Sequence, residues 1–226
     1  MDNRGGGDGC DTGATAHLTA VHTCDISTTN EQWQASDLGE VIADLGARPW
    51  VWWLAGGRAL DLFLGRSGRP HADLDIAVPR RDIGEFLRRL AGWDIHEAHG
   101  GTLVPLECGT APRLNVNSLW CRRRGATHWS FEVLLDEVRG DTWMYRRDPR
   151  ITRPMRDTVM RSTQDVPFLA PEIQLLYKSK DTRDRDRIDF ANVRPHLDAS
   201  AIHWLKNALE LTAPSHEWLA LLDNRH

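Results

Sequence analysis

Apolar runs alternating with polar breaks divide the chain into three stretches. In the first, SDLGEVIADLGA predicts a helix, with Asp37 placed to cap its amide end and Glu40 at the reciprocal position of a capping box. WVWWLA, from Trp50, sets bulky aromatics and Val in succession without a charge, the mark of a buried strand. GGRALDLFLG reads as a short helix closed by Gly65 and ADLDIAV as a second strand. RDIGEFLRRL reads as an amphipathic helix with Asp82 and Glu85 at capping spacing. The predicted order is helix, strand, helix, strand, helix.

From Trp93 to about Val138 the pattern becomes extended. WDIHEA, GTLVPL, RLNVNSLW and HWSFEVLLDEV are separated by Gly, Pro and charged turns, which predicts a mostly antiparallel or mixed continuation of one sheet. RGDTWMYRRDPRITRP is less periodic and reads as loop and short strand carrying a basic block. From Pro171 onward, PEIQLLYKSK, DRIDFANVRPHL, SAIHWLKNALEL and SHEWLALL predict helices. The fold class is therefore α/β (α+β), a mixed sheet with flanking helices. The expected division is a flexible segment at 1–25, the sheet-bearing domain at 26–164 and a helical region at 165–226.

Composition narrows this little. With 28 Lys+Arg against 32 Asp+Glu and a formal net charge of -4, the whole surface does not advertise nucleic acid, though a local basic pocket is compatible. Cys10, Cys24, Cys108 and Cys121 form neither a CxxC pair nor a dense framework, which suits free thiols in a reducing compartment. The glycine-rich start, MDNRGGGDGCDTGATA, lacks the apolar core of a signal peptide, and charged residues or Gly interrupt every apolar run before it could cross a bilayer. The expected location is cytoplasmic, with no membrane partner. Trp52, Trp53 and Trp204 fall on apolar patterns and read as packing residues, and no H-E-x-x-H zinc pattern occurs.

The chemistry concentrates in WWLAGGRALDLFLGRSGRPHADLDIAV. On a strand, Asp73 and Asp75 would project to one face while Leu74 and Ile76 turn to the core. Two such carboxylates repel unless a cation compensates them, and hard oxygen ligands suit Mg²⁺ bound together with a nucleotide's phosphates. Gly56 and Gly57 fit a strand-to-helix turn whose amides can approach phosphate. The spacing is neither G-x-G-x-x-G nor a Walker sequence.

Taken together, these residues resemble the signature of the DNA polymerase beta-like nucleotidyltransferase superfamily, in particular its small aminoglycoside and lincosamide nucleotidyltransferase branch. The resemblance covers the region expected to be the catalytic domain. It implies magnesium-dependent transfer of a nucleoside monophosphate, AMP from ATP as first choice, to a hydroxyl of a small antibiotic, with two Mg²⁺ ions beside the bound nucleotide. Asp73 and Asp75 match the family's metal-binding pair. A third acidic residue is implied on a later strand. Glu132 and Asp136 share one strand parity, opposite to Phe131, Val133 and Leu135, so either can face the cleft. Glu132 is the first choice, and Glu137, on the other parity, is a further structural or substrate-side candidate.

Gly56, Gly57, Arg58, Arg66, Arg69 and His71 would then lie near the nucleotide, together with Lys178 and Lys180 of APEIQLLYKSKDTRDRDRIDF. That segment resembles the family's R-x-K-D-x-x-D, with Arg185 in place of the Lys. The basic stretches CRRRGATHW and YRRDPRITR read as a hairpin and a loop near a nucleotide pocket, or as nucleic-acid patches. A nucleotidyltransferase acting on RNA or protein in a toxin system, and a catalytically silent nucleotide-binding regulator, are the alternatives. A homodimer is compatible with either.

Overall fold

The computed structural model describes residues 24–25, 33–35, 37–45 and 52–223. In chain order its strands are β1 (Cys24–Asp25), β2 (Trp53–Leu54), β3 (Asp75–Pro79), β4 (Trp93–His99), β5 (Thr102–Pro105), β6 (Ser118–Arg123), β7 (Phe131–Arg139), β8 (Thr142–Met144), β9 (Thr152–Pro154), β10 (Val159–Arg161) and β11 (Pro167–Leu169). The helices are α1 (Leu38–Leu45), α2 (Gly56–Leu64), α3 (Ile83–Leu87), α4 (Met155–Thr158), α5 (Pro171–Lys178), α6 (Asp184–Val193), α7 (Ala199–Thr212) and α8 (Glu217–Asp223). The described strands make one mixed sheet in the order β1-β5-β4-β6-β7-β3-β2-β11-β10, with β8 and β9 branching from the end of β7. Pairing is parallel between β3 and β7 and between β11 and β2. The other strand pairs are antiparallel.

Strand periodicity sorts the core onto two faces. Trp52, Leu54, Ile76, Val78, Phe131, Val133 and Leu135 pack with Val41 and Leu45 of α1 and Ile83 and Phe86 of α3. The alternate positions Trp53, Ala55 and Ala77 pack with the C-terminal helices through Ile173, Leu176, Phe190, Leu205, Leu209 and Trp218. The Trp53 indole N–H is buried without a hydrogen-bond partner among the described residues. That costs about 1–3 kcal/mol. Removing roughly 150–250 Å² of aromatic surface from water returns about 4–6 kcal/mol, so packing wins and Trp53 is a core residue.

The helix-strand-helix-strand order matches the sequence pattern, with differences at the ends. Asp37 Oδ1 accepts from the amides of Gly39 (2.8 Å) and Glu40 (3.3 Å), as a cap should. Helix α2 does close at Gly65. The strand expected from Trp50 is described only from its later residues, since Trp50 and Val51 lie outside the described set. The third helix is shorter than RDIGEFLRRL suggested: a 3-10 turn occupies Arg80–Asp82 and α3 spans five residues. Asp82 makes no side-chain cap there, and Glu85 instead pairs with Arg88 and Arg89. RLNVNSLW becomes strand only at Ser118. The helical region expected from residue 165 begins at Pro171, because β11 is hydrogen-bonded to β2 inside the sheet. The expected flexible segment 1–25 falls outside the described residues except for β1, which pairs with Leu103 and Thr102.

Candidate active site

The double glycine lies where β2 turns into α2, and two side chains explain it. A Cβ on Gly56 would stand 1.8 Å from Asp75 Oδ2, and one on Gly57 would stand 2.1 Å from the His71 ring. Gly56 also adopts φ 64, a left-handed conformation that glycine tolerates. Its N–H, which the sequence offered to phosphate, here donates to Gln174 Oε1 of α5 at 2.8 Å. The Ala55 amide donates to the Asp75 carbonyl at 2.9 Å, locking the turn against β3.

Asp75 opens β3, and Glu132 lies directly opposite it in the parallel register with β7. The Glu132 amide donates to the Leu74 carbonyl at 2.8 Å. Asp73 stands in the loop just ahead of β3 rather than within the strand, so strand parity does not bring it to the pair. Nevertheless Asp73, Asp75, Glu132 and Asp136 line one cavity of about 310 Å³. Adjacent strands lie about 4.8 Å apart, and at an effective dielectric of about 20 two ionised carboxylates at that distance repel by roughly 3 kcal/mol. Burial, followed by the charges of Glu132 and Asp73, holds the Asp75 carboxyl well above its ordinary range. Burial also raises Glu132, opposed by the Ser118 hydroxyl, which donates to Oε1 at 2.5 Å, and by a hydrogen bond with Asp75. Burial and mutual repulsion favour the protonated form at this corner, and a bound cation would favour the charged one.

Asp136 is the buried member of the group, 4% exposed. Tyr177 Oη donates to its Oδ1 at 3.0 Å and Trp143 Nε1 to its Oδ2 at 3.2 Å. Burial lifts it to about 6 against these two hydrogen bonds. Glu132 also faces the cavity but keeps partial exposure, and only Glu132 pairs in register with Asp75. Glu137 points elsewhere, forming an ion pair with Arg80 at 2.8 Å.

The cations divide unexpectedly. Lys178 is buried between Asp186 Oδ1 (3.1 Å) and Asp189 Oδ2 (2.9 Å) and is not on the cavity wall. Arg69 forks onto Asp189 through Nε and Nη2, both at 2.9 Å. Arg183 completes the ladder on Asp186, whose carboxyl is lowered to about 2 by its bonds to Arg183 and the charge of Lys178, against the opposing effect of burial. His71 Nε2 lies 2.9 Å from Asp61 Oδ2, and burial lowers its basicity against the opposing pull of Asp61. Lys180 is exposed beside a separate pocket with Tyr145, Asp148 and Leu211. Arg58 is half-buried and Arg66 exposed, and neither lines the carboxylate cavity. The cavity's cations are instead Arg146, Arg147, Arg183 and Arg185. Arg185 stands where the family motif has Lys, and its charge, after that of buried Lys178, reaches Asp75. Arg146 and Arg147 come from the basic block read as a loop near a nucleotide pocket. Gln174, Tyr177 and Ser118 carried no signal in the sequence.

In the other basic stretch, the Arg122 guanidinium lies 4.7 Å over the Trp129 ring and that of Arg123 4.2 Å over Trp93. Trp93, Trp120 and Trp129 are buried. These rings are packing surfaces and offer no open platform for bases.

The family model for aminoglycoside-2''-adenylyltransferase matches residues 37–193, more than half of the chain. The chain belongs to that family. It is accordingly a nucleotidyltransferase, and the matched span contains the double glycine, the four carboxylates of the cavity and its four arginines. Among solved structures, the lincosamide antibiotic adenylyltransferase LnuA, bound to lincomycin, is 21% identical with a TM-score of 0.50, covering 71% of this chain and 98% of its own; it shares the fold. ANT(2")-Ia in complex with adenylyl-2"-tobramycin is 15% identical with a TM-score of 0.45, covering 82% of this chain and 91% of its own. No curated protein sequence matches significantly. Among the described residues, no helix is long and apolar enough to cross a membrane.

Proposed function

We propose that the chain transfers a nucleoside monophosphate, AMP from ATP, to a hydroxyl of a small aminoglycoside- or lincosamide-like acceptor. The observation that carries this reading is the register of Asp75 against Glu132, with Asp73 on the same cavity wall and four arginines around them. The donor set fits magnesium: all three ligands are hard carboxylate oxygens, and two of them are held above their usual range by burial and by one another's charge. Among the described residues, no three His, Cys, Asp or Glu side chains are gathered closely enough to hold a metal ion by themselves. Asp73, Asp75 and Glu132 would therefore have to close on an ion that arrives with the triphosphate and water as its other ligands. Magnesium held by Asp73, Asp75 and Glu132 would polarise the alpha phosphoryl group and lower the proton affinity of the acceptor hydroxyl.

The chain's own residues do the rest. Glu132, oriented by the Ser118 hydroxyl, accepts the proton as the acceptor oxygen bonds to the alpha phosphorus and the bond to pyrophosphate breaks. Arg185 and Arg183 offset the charge of the triphosphate and of the departing pyrophosphate. The small-molecule acceptor is favoured over RNA by the covered tryptophans of the basic hairpin and is suggested by the family's activity. Purified protein given each of the four common triphosphates with Mg²⁺ and a panel of aminoglycosides and lincosamides should release pyrophosphate with ATP, and one acceptor should gain an adenylyl mass. Radiolabel from ATP entering RNA or protein of a cell extract in higher yield than small molecules would replace this acceptor assignment.

A further inference from the structure

The loop between Gly65 and Asp73 contains neither helix nor strand, yet it must deliver a carboxylate to a fixed point beside Asp75. Holding each of its residues in one backbone conformation costs conformational entropy, so such a loop needs anchors. One is Asp61 on α2, whose two oxygens are both committed: Oδ1 accepts from the Gly68 amide at 2.8 Å and Oδ2 takes His71 Nε2 at 2.9 Å. The His71 side chain is 2% exposed. It lies so close to α2 that a Cβ on Gly57 would stand 2.1 Å from Cε1 and 2.2 Å from Nδ1. Only one residue separates His71 from Asp73.

We infer that Asp61, His71 and Gly57 form a clamp that positions Asp73, and that the second glycine of the pair makes room for this histidine rather than for a phosphate. The inference rests on the reading of Asp73 and Asp75 as metal ligands. His71 is thus a positioning residue: it acts on the metal through the path of the loop. Metal-site support of this kind, when removed, typically costs 10–100-fold in affinity.

A double-mutant cycle separates the two roles of Gly57, with the Mn²⁺ complex of the non-hydrolysable α,β-methylene analogue of ATP as probe, its binding followed by EPR. His71→Ala and Gly57→Ala should each weaken binding by about tenfold or more. The double variant should be no weaker than His71→Ala, because the added methyl then meets no ring and only the movable end of the Arg69 side chain, Nη2 at 3.0 Å. His71→Gln, whose amide can still donate to Asp61, should stay within about threefold of wild type. If His71→Ala does not fold, Asp61→Asn carries the test, since it keeps an acceptor for the Gly68 amide and loses the one for His71. A double variant weakened by the product of the two single effects would overturn the clamp and put Gly57 against the phosphates. Unchanged binding in His71→Ala with only a lowered melting temperature would also overturn it. Asp73→Asn is the control: wild-type binding there removes the metal reading together with the clamp, whereas weakened binding there with normal binding in His71→Ala removes the clamp alone.

Discussion

Replacing Asp75 by Asn is expected to abolish nucleotidyl transfer and, in metal-free buffer, to raise the melting temperature. The loss follows from removing the carboxylate that touches both partners of the site: it packs on Gly56 and pairs in register with Glu132. If metal stabilisation of the transition state supplies several kcal/mol, the rate should fall by roughly 10³ or more. The gain in stability follows from the direction of the Asp75 shift. Burial and the neighbouring charges of Glu132 and Asp73 raise its folded pKa above the unfolded value. An acid shifted upward is a liability that is absent below the unfolded value, near 3.9, and grows as pH rises toward the folded value. Asn removes that liability. Melting curves of both proteins at pH 4 and pH 8 should therefore coincide more nearly at pH 4, with the variant ahead at pH 8. Saturating Mg²⁺ should stabilise wild type and not the variant. A variant less stable than wild type at pH 8 without metal would show that Asp75 is held by favourable partners and is not a frustrated carboxylate.

Glu132→Gln against Asp136→Asn is the second large contrast. Glutamine can still accept from Ser118 through its carbonyl, so the fold and the strand register should survive. It can neither take the acceptor's proton nor bring a negative charge, and losing a positioned base costs about 10²–10⁴ in rate. Asp136 has both oxygens occupied by Tyr177 and Trp143, which leaves it less free to bind a metal. An Asn there keeps one acceptor and turns its amide toward a donor, a cost of about 1–3 kcal/mol in stability. Turnover in Asp136→Asn should stay within about tenfold of wild type, with a lower melting temperature. The reverse pattern, near-normal Glu132→Gln and silent Asp136→Asn, would move the third ligand to Asp136.

Much of this was legible in the sequence because it depends on local period. Phe131, Val133 and Leu135 alternate with Glu132, Leu134 and Asp136, and the strand sends the first set into the core and the carboxylates into the cavity. The short helix after the glycines was legible from its apolar run and its closing Gly65. What escaped depends on contacts distant in sequence. Lys178 looked like a phosphate ligand, but Asp186 and Asp189, in the first and second turns of α6, enclose it. Arg69 looked free until α6 brought Asp189 across to it. The glycines looked like a phosphate turn because a sequence records the missing side chain without recording what fills the space; here Asp75 and His71 do. Arg146 and Arg147 reach the cavity by way of the β8–β9 hairpin, whose path no periodicity announces.

Nucleotidyl transfer, as proposed, depends on a metal held jointly by Asp73, Asp75 and Glu132. The most direct test is a crystal structure of the protein with Mn²⁺ and a non-hydrolysable triphosphate, with the metal located by its anomalous scattering. The expected result is an anomalous peak within ligand distance of Asp73, Asp75 and Glu132 carboxylate oxygens, with the triphosphate running toward Arg185 and Arg183. A peak away from these three carboxylates, or a triphosphate bound in the pocket beside Lys180 and Tyr145, would contradict it.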